Sequence, residues 1–113
     1  FRERIFYHHN PTVTLMRTTV EEIAVLGNEI ARKAAASSGP VTIMLPLEGV
    51  SAIDCDGQPF DDSEARSALF NGIRRNHGDV ELVELPYHIN DVEFAEATAG
   101  RLMELIKQQM SMK

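Results

Sequence analysis

Apolar positions along this chain change period three times. Each time the short run or two-residue alternation of a strand gives way to the three-and-four spacing of a helix at a sharply marked junction. Val13–Met16 predicts the first strand; after it, Val20, Ile23, Gly27, Ile30, Ala31 and Ala34 recur at helical spacing until Ser37-Ser-Gly-Pro40 stops them. Thr19 with Glu22 forms a capping box at the start of that helix, and Thr18 with Glu21 repeats it one register earlier. Residues 41–45 are apolar on both faces apart from Thr42, the pattern of a central parallel strand. A second helix is predicted from Asp61 or Asp62 to about Asn76, with Ala65, Ala68, Leu69, Gly72 and Ile73 inward and Gly78 as its stop. In residues 80–85, Glu81 and Glu84 interrupt the apolar run, which reads nearer a sheet edge. The third helix is expected to use Asn90 and Glu93 as a capping box and to bury Phe94, Ala97, Thr98, Leu102, Leu105 and Ile106. Ahead of all this, residues 5–8 form a β-prone lead broken by Asn10-Pro11.

Three successive βα units predict an α/β fold: a three-layer arrangement around a parallel sheet, part of a doubly wound (Rossmann-like) domain, with residues 1–113 forming a single α/β domain. Three strands make only half of such a sheet and leave two long edges with an exposed apolar flank. Completion is therefore expected from missing sequence or from another copy of the chain, most simply in a twofold dimer. Ligands of open parallel sheets gather outside the carboxyl ends of the strands, and the connection over residues 46–60 is long for a βα loop. The junctions are where function is to be sought.

Composition narrows the partners. Seventeen acidic residues against eleven basic ones give a net charge of −6, and no basic run exceeds Arg74-Arg75, so direct nucleic-acid binding is not expected. No apolar stretch approaches the ~20 residues needed to span a bilayer. The one cysteine, Cys55, cannot form an internal disulfide, and a reducing, cytoplasmic setting is expected. The opening Phe1-Arg-Glu-Arg4 is charged and begins without Met, as in a piece of a longer polypeptide.

Arg17, Thr18 and Thr19 place a guanidinium and two hydroxyls beside the open amides of a helix N-terminus, a combination suited to phosphate or carboxylate. Capping is the structural role of the threonines, so Thr19→Ala is expected to cost roughly 1 kcal/mol of stability. Arg17→Ala is expected to cost little stability and to weaken an anionic ligand by about 1.5–3 kcal/mol. Gly49 and Ser51 allow close backbone approach to a ligand or simply a turn; no dinucleotide or P-loop glycine motif is present. Asp54, Asp56, Asp61 and Asp62 lack the spacing of a calcium loop, and no metal site is expected. His88 and Asn90 follow the third strand, where parallel topology would bring them near Arg17 and Ser51; as structural residues they would satisfy backbone groups and cap the helix. A Ser51, His88, Asp54 triad can be written down, but the G-x-S-x-G elbow is missing, so no catalytic residue is assigned.

Three separate strings carry a family resemblance. They are Asn10-Pro-Thr-Val-Thr-Leu-Met-Arg-Thr-Thr19; Pro46-Leu-Glu-Gly-Val-Ser-Ala-Ile-Asp54 with Gly57-Gln-Pro-Phe60; and His88-Ile-Asn-Asp91. Together, and in this order, they resemble the C-terminal part of the tobamovirus-resistance ATP-binding-like family of bacteria, fungi and plants. Cys55-Asp56 departs from the Ala-Pro expected in that loop, which argues against a required thiol. The resemblance implies the C-terminal fragment of a longer protein with two subdomains, and ATP as a possible ligand, since the plant member binds ATP and inhibits a viral replication protein. The expected function is a small-molecule binding module, a subdomain for ATP or another phosphate ligand whose cleft closes against the missing N-terminal subdomain. The expected ligand contacts are Arg17, Thr18, Thr19, Gly49, Ser51, His88 and Asn90. The alternatives are an enzyme acting on a phosphorylated or carboxylated metabolite, with His88 as acid or base, and an assembly module.

Overall fold

The computed structural model describes residues 4–111. Its elements are β1 (Phe6–Asn10), β2 (Val13–Met16), α1 (Val20–Ala35), β3 (Thr42–Pro46), β4 (Gly49–Ser51), β5 (Asp54–Cys55), α2 (Ser63–Asn76), β6 (Glu81–Leu85) and α3 (Val92–Ser111). Strands β3 and β6 pair in parallel from Thr42 opposite Glu81 to Pro46 opposite Leu85, as the apolar run of β3 requires. The long loop after β3 folds into its own small antiparallel pair, β4 with β5.

Side-chain alternation divides this sheet into two unequal faces. Ile43, Leu45 and Leu82 point toward α1 and α2, where Ala31, Leu45, Phe70 and Ile73 form the buried core. The two helices approach closely because each offers a glycine at the contact. A Cβ on Gly27 would collide with the Leu69 carbonyl, and one on Gly72 would lie 2.9 Å from the carbonyl oxygen of Ala24. Asn76 ties them by donating from Nδ2 to Oδ1 of Asn28 at 2.8 Å. Thr42, Met44 and Pro46 point the other way and line a groove beneath α3. Glu81 and Glu84, the two acids of β6, each meet an arginine on their own face: Arg101 of α3 pairs with Glu81, and Arg74 of α2 with Glu84. Those arginines hold both carboxyls below the usual carboxylate range, with the Thr42 hydroxyl adding to the effect at Glu81.

The caps follow the sequence closely in the first two helices. Thr19 accepts from the Glu22 amide while the Glu22 side chain accepts from the Thr19 amide, a complete capping box. Asp62 caps α2, and Gly78 follows its end at φ +57°, the left-handed conformation that terminates helices.

Three expectations change. Val13–Met16 is a strand, but it does not join β3 and β6 in a three-unit parallel sheet. It pairs antiparallel with β1, because the turn at Asn10-Pro11 folds the lead back on it; the Asn10 side chain accepts from the amide of Thr12 at 2.9 Å and closes the turn. Helix α3 starts at Val92, so Asn90 is not its cap; the Asn90 amide is spent on Nδ1 of His88 at 3.0 Å. Of the expected inward residues of α3 only Phe94 is buried, while Leu102 and Ile106 are exposed, because α3 meets the sheet over only part of its length.

Candidate functional site

Arg17 leaves β2 and is pulled inward rather than left on the surface. Its amide donates to the carbonyl of Ile5 at 2.7 Å, fixing the end of the hairpin, and its side chain is 6% exposed. Nη2 lies 2.9 Å from Oδ2 of Asp54, an ion pair without hydrogen-bond alignment, and Nη1 reaches the hydroxyl of Thr18 at 3.3 Å. Nε and Nη2 are buried without a hydrogen-bond partner. The same arginine, with Thr18 and Thr19, lines a cavity of about 260 Å³ at the N-terminus of α1; Glu21 and Asp62 form part of its wall.

Asp54 is the hub of this region. At 3% exposed it also receives Nη1 of Arg66 at 3.1 Å, and Arg66 continues to Asp56 at 3.2 Å and Asp61 at 3.0 Å. Burial works to lower the Arg66 pKa, but hydrogen bonds to Asp54 and Asp61 together keep it above the ordinary value. Asp61 is held below the usual range first by the Gly57 amide and then by Arg66. The aspartates of this loop are thus arginine partners, with Asp62 a helix cap.

The second group stands at the carboxyl ends of β3 and β6. Gly49 bridges to His88, and its carbonyl accepts from the Ile89 amide at 3.0 Å. A Cβ on Gly49 would lie 2.5 Å from the His88 ring and 2.6 Å from Cβ of Cys55, so the glycine is required by the protein's own packing. His88 donates from Nε2 to the Ser51 carbonyl at 2.8 Å and accepts at Nδ1 from the Asn90 amide, which specifies the Nε2–H tautomer. The Ser51 hydroxyl accepts from the Asp54 amide at 3.1 Å. The triad geometry is therefore absent: the imidazole meets the Ser51 carbonyl, and the Asp54 carboxylate belongs to two arginines.

Contacts thus run without a break from Thr18 through Arg17, Asp54 and Ser51 to His88 and Asn90. The cavity at α1 takes in Arg17, Thr18 and Thr19 but not Gly49, Ser51, His88 or Asn90. The structure gathers the candidates into two groups joined by Asp54. Sequence reasoning missed Asp54 and Arg66 as the centre of the arrangement. The usable signal was Arg66 in helical register with Phe70 and Ile73, a charge on a core-facing stripe that must find a buried partner. Burial also overturns the expectation that Arg17→Ala costs little, since it would leave Asp54 and Arg66 in an unbalanced buried cluster.

Among the described residues no helix is long and apolar enough to cross a membrane. Similarity to known proteins covers almost the whole chain. It is 45% identical to a UPF0261 protein of Mesorhizobium japonicum over 105 residues, 90% of this chain and 26% of that protein. It is 42% identical to a UPF0261 protein of Clostridium tetani over 96% of this chain and 27% of that protein. The ToMV resistance protein Tm-1 of Solanum lycopersicum is 41% identical over 93% of this chain and 14% of the plant protein. The chain therefore spans about a quarter of the bacterial relatives it matches. Residues 1–106 match the uncharacterised protein family (UPF0261) C-terminal domain, and the chain belongs to that family.

Proposed function

We propose that this chain is a small-molecule binding module, part of a three-layer, doubly wound domain that takes ATP or another phosphate ligand in a reducing, cytoplasmic setting. The observation that carries the reading is Arg17: a buried guanidinium, two of whose nitrogens lack a hydrogen-bond partner, on the wall of a cavity at the N-terminus of α1. Cation, hydroxyls and helix amides together favour an anion. Asp54 offsets part of the positive charge and keeps the guanidinium in place, so the affinity is set by how far an anion competes for Arg17. The family resemblance supports the choice of ATP, and the helices on both faces of β3 and β6 support the layered arrangement. His88 serves as a brace between Ser51 and Asn90.

Calorimetric titration of the full-length protein with ATP, ADP and inorganic phosphate tests the reading. Thr18→Ala removes an exposed hydroxyl that neither caps α1 nor packs in the core, and is expected to weaken binding by about 0.5–1.5 kcal/mol with the fold unchanged. Absence of binding heat for all three compounds in a folded protein would sink the proposal.

A further inference from the structure

Helix α3 carries two apolar faces and uses one. Phe94, Thr98 and Leu105 point toward β3, while at 100° per residue Leu102, Ile106, Met110 and Met103 continue round the adjoining flank. These four are 58%, 48%, 69% and 60% exposed, and Val92 extends the same stripe. The opposite flank holds Glu93, Glu96, Glu104 and Lys107, so the helix has its solvent face elsewhere. Below the stripe a groove of about 320 Å³ opens between α3 and β3, lined by Thr42, Met44, Pro46, Phe94, Leu102 and Leu105. Strand β3 hydrogen-bonds to β6 on one side, and no described strand pairs with its other edge.

The overall dimensions of the molecule point the same way. The chain exposes 7624 Å², whereas a compact monomer of its 12.6 kDa mass is expected near 6,200 Å², an excess of about 1,400 Å². Its radius of gyration is 16.1 Å against about 13 Å for a compact chain of this length. An exposed apolar helix stripe beside the unpaired edge of a parallel strand is the surface of a sheet that continues.

We propose that this face is covered by the N-terminal part of the same, longer polypeptide, which extends the sheet from the free edge of β3 and packs on the Leu102, Ile106 and Met110 stripe. The occupant is chosen on length. The chain matches a C-terminal domain family and spans 26% of a bacterial relative, so each molecule carries ample sequence of its own to fill the face. Parallel strands also need crossover connections, which a continuous chain supplies.

The test uses the full-length protein. Leu102→Glu and Ile106→Glu are each expected to lower its folded-to-unfolded ratio at least tenfold, and Glu96→Lys on the charged flank to leave it within twofold. In the unmutated protein, Met103 and Met110 are expected to be oxidised by hydrogen peroxide at least tenfold more slowly than in urea. Cross-linking at Lys107 in a mixture of isotopically light and heavy protein is expected to give links to the N-terminal part within one isotope form. Oxidation at the unfolded rate, tolerance of both glutamates, or mixed-isotope links between two α3 helices would each overturn the proposal, the last by assigning the face to a second copy.

Discussion

The two faces of the β3 and β6 pair offer a direct comparison. On one side, α1 and α2 close on each other through Gly27 and Gly72 with no room for a Cβ at either position, and Phe70, Ile73 and Ala31 shut out water. On the other, α3 leaves a groove, exposes five large apolar side chains, and carries a Gly100 whose Cβ would meet nothing within 4 Å. The same chain therefore contains one closely packed face and one open face. Apolar sequence alone does not distinguish them; close approach of backbone does.

The largest expected effect lies at the charged end of the packed side. Asp54→Ala leaves Arg17 and Arg66 buried without their shared carboxylate and is expected to cost about 3–5 kcal/mol, read as a drop in the urea midpoint. A Glu81→Gln variant on the α3 side, where the ion pair to Arg101 is open to water, is expected to leave that midpoint nearly unchanged. Equal losses at the two sites would dissolve the contrast.

Glycine substitutions sharpen it further. Gly27→Ala drives a methyl into the Leu69 carbonyl and is expected to destabilise by about 1–3 kcal/mol in thermal or denaturant unfolding. Gly100→Ala on α3 meets open space and is expected to stabilise by about 0.5–1 kcal/mol through helix propensity. Gly100 lies on the charged flank of α3 with Glu93, Glu96 and Lys107, so equal destabilisation at both glycines would remove the contrast between the two helices. Thr19→Ala, which removes the cap of α1, is expected to cost about 1 kcal/mol in the same measurement.

The smallest expected effect is electrostatic. Glu22 is lowered by its hydrogen bond from Arg4 and then by the Thr19 amide; Asp61, Glu81 and Glu84 are lowered by the partners described above. A carboxyl whose folded pKa lies below its unfolded value binds fewer protons when folded, so its stabilisation is present above the unfolded value, near pH 4, and is lost as pH falls through the folded value. Urea midpoints are thus expected to hold from pH 7 to about 5 and to decline below about 4, with Glu22→Gln flattening part of the decline. A midpoint that rises on acidification would reverse the sign of the argument.

Much of the local structure was legible in the residues themselves. Thr19 with Glu22 wrote the start of α1, Asp62 and Gly78 wrote both ends of α2, and the apolar run over 41–45 wrote a strand that pairs in parallel with β6. These features rest on neighbours within a few positions, or on a periodicity that a short window contains. The start of α3 was misread because the Asn90 amide turns back to the His88 ring, and that ring is held in place by the Ser51 carbonyl 37 positions away, a contact that no short window contains.

What only the tertiary structure decided was partnership. Whether Val13–Met16 joins β1 or β3 depends on which backbone edge lies within 5 Å, and β1 wins because a tight turn brings it back at small entropic cost. Whether Arg17 waits in solvent for a ligand or is buried against Asp54 depends on residues 37 positions apart meeting in space. The sequence by itself determined the three helices, the main strands, the caps of α1 and α2 and the residue types gathered at the strand ends, because propensity and capping act locally. The hub at Asp54 and the uncovered face of α3 were decided by packing, because desolvation and complementarity belong to surfaces that exist only once the chain has folded.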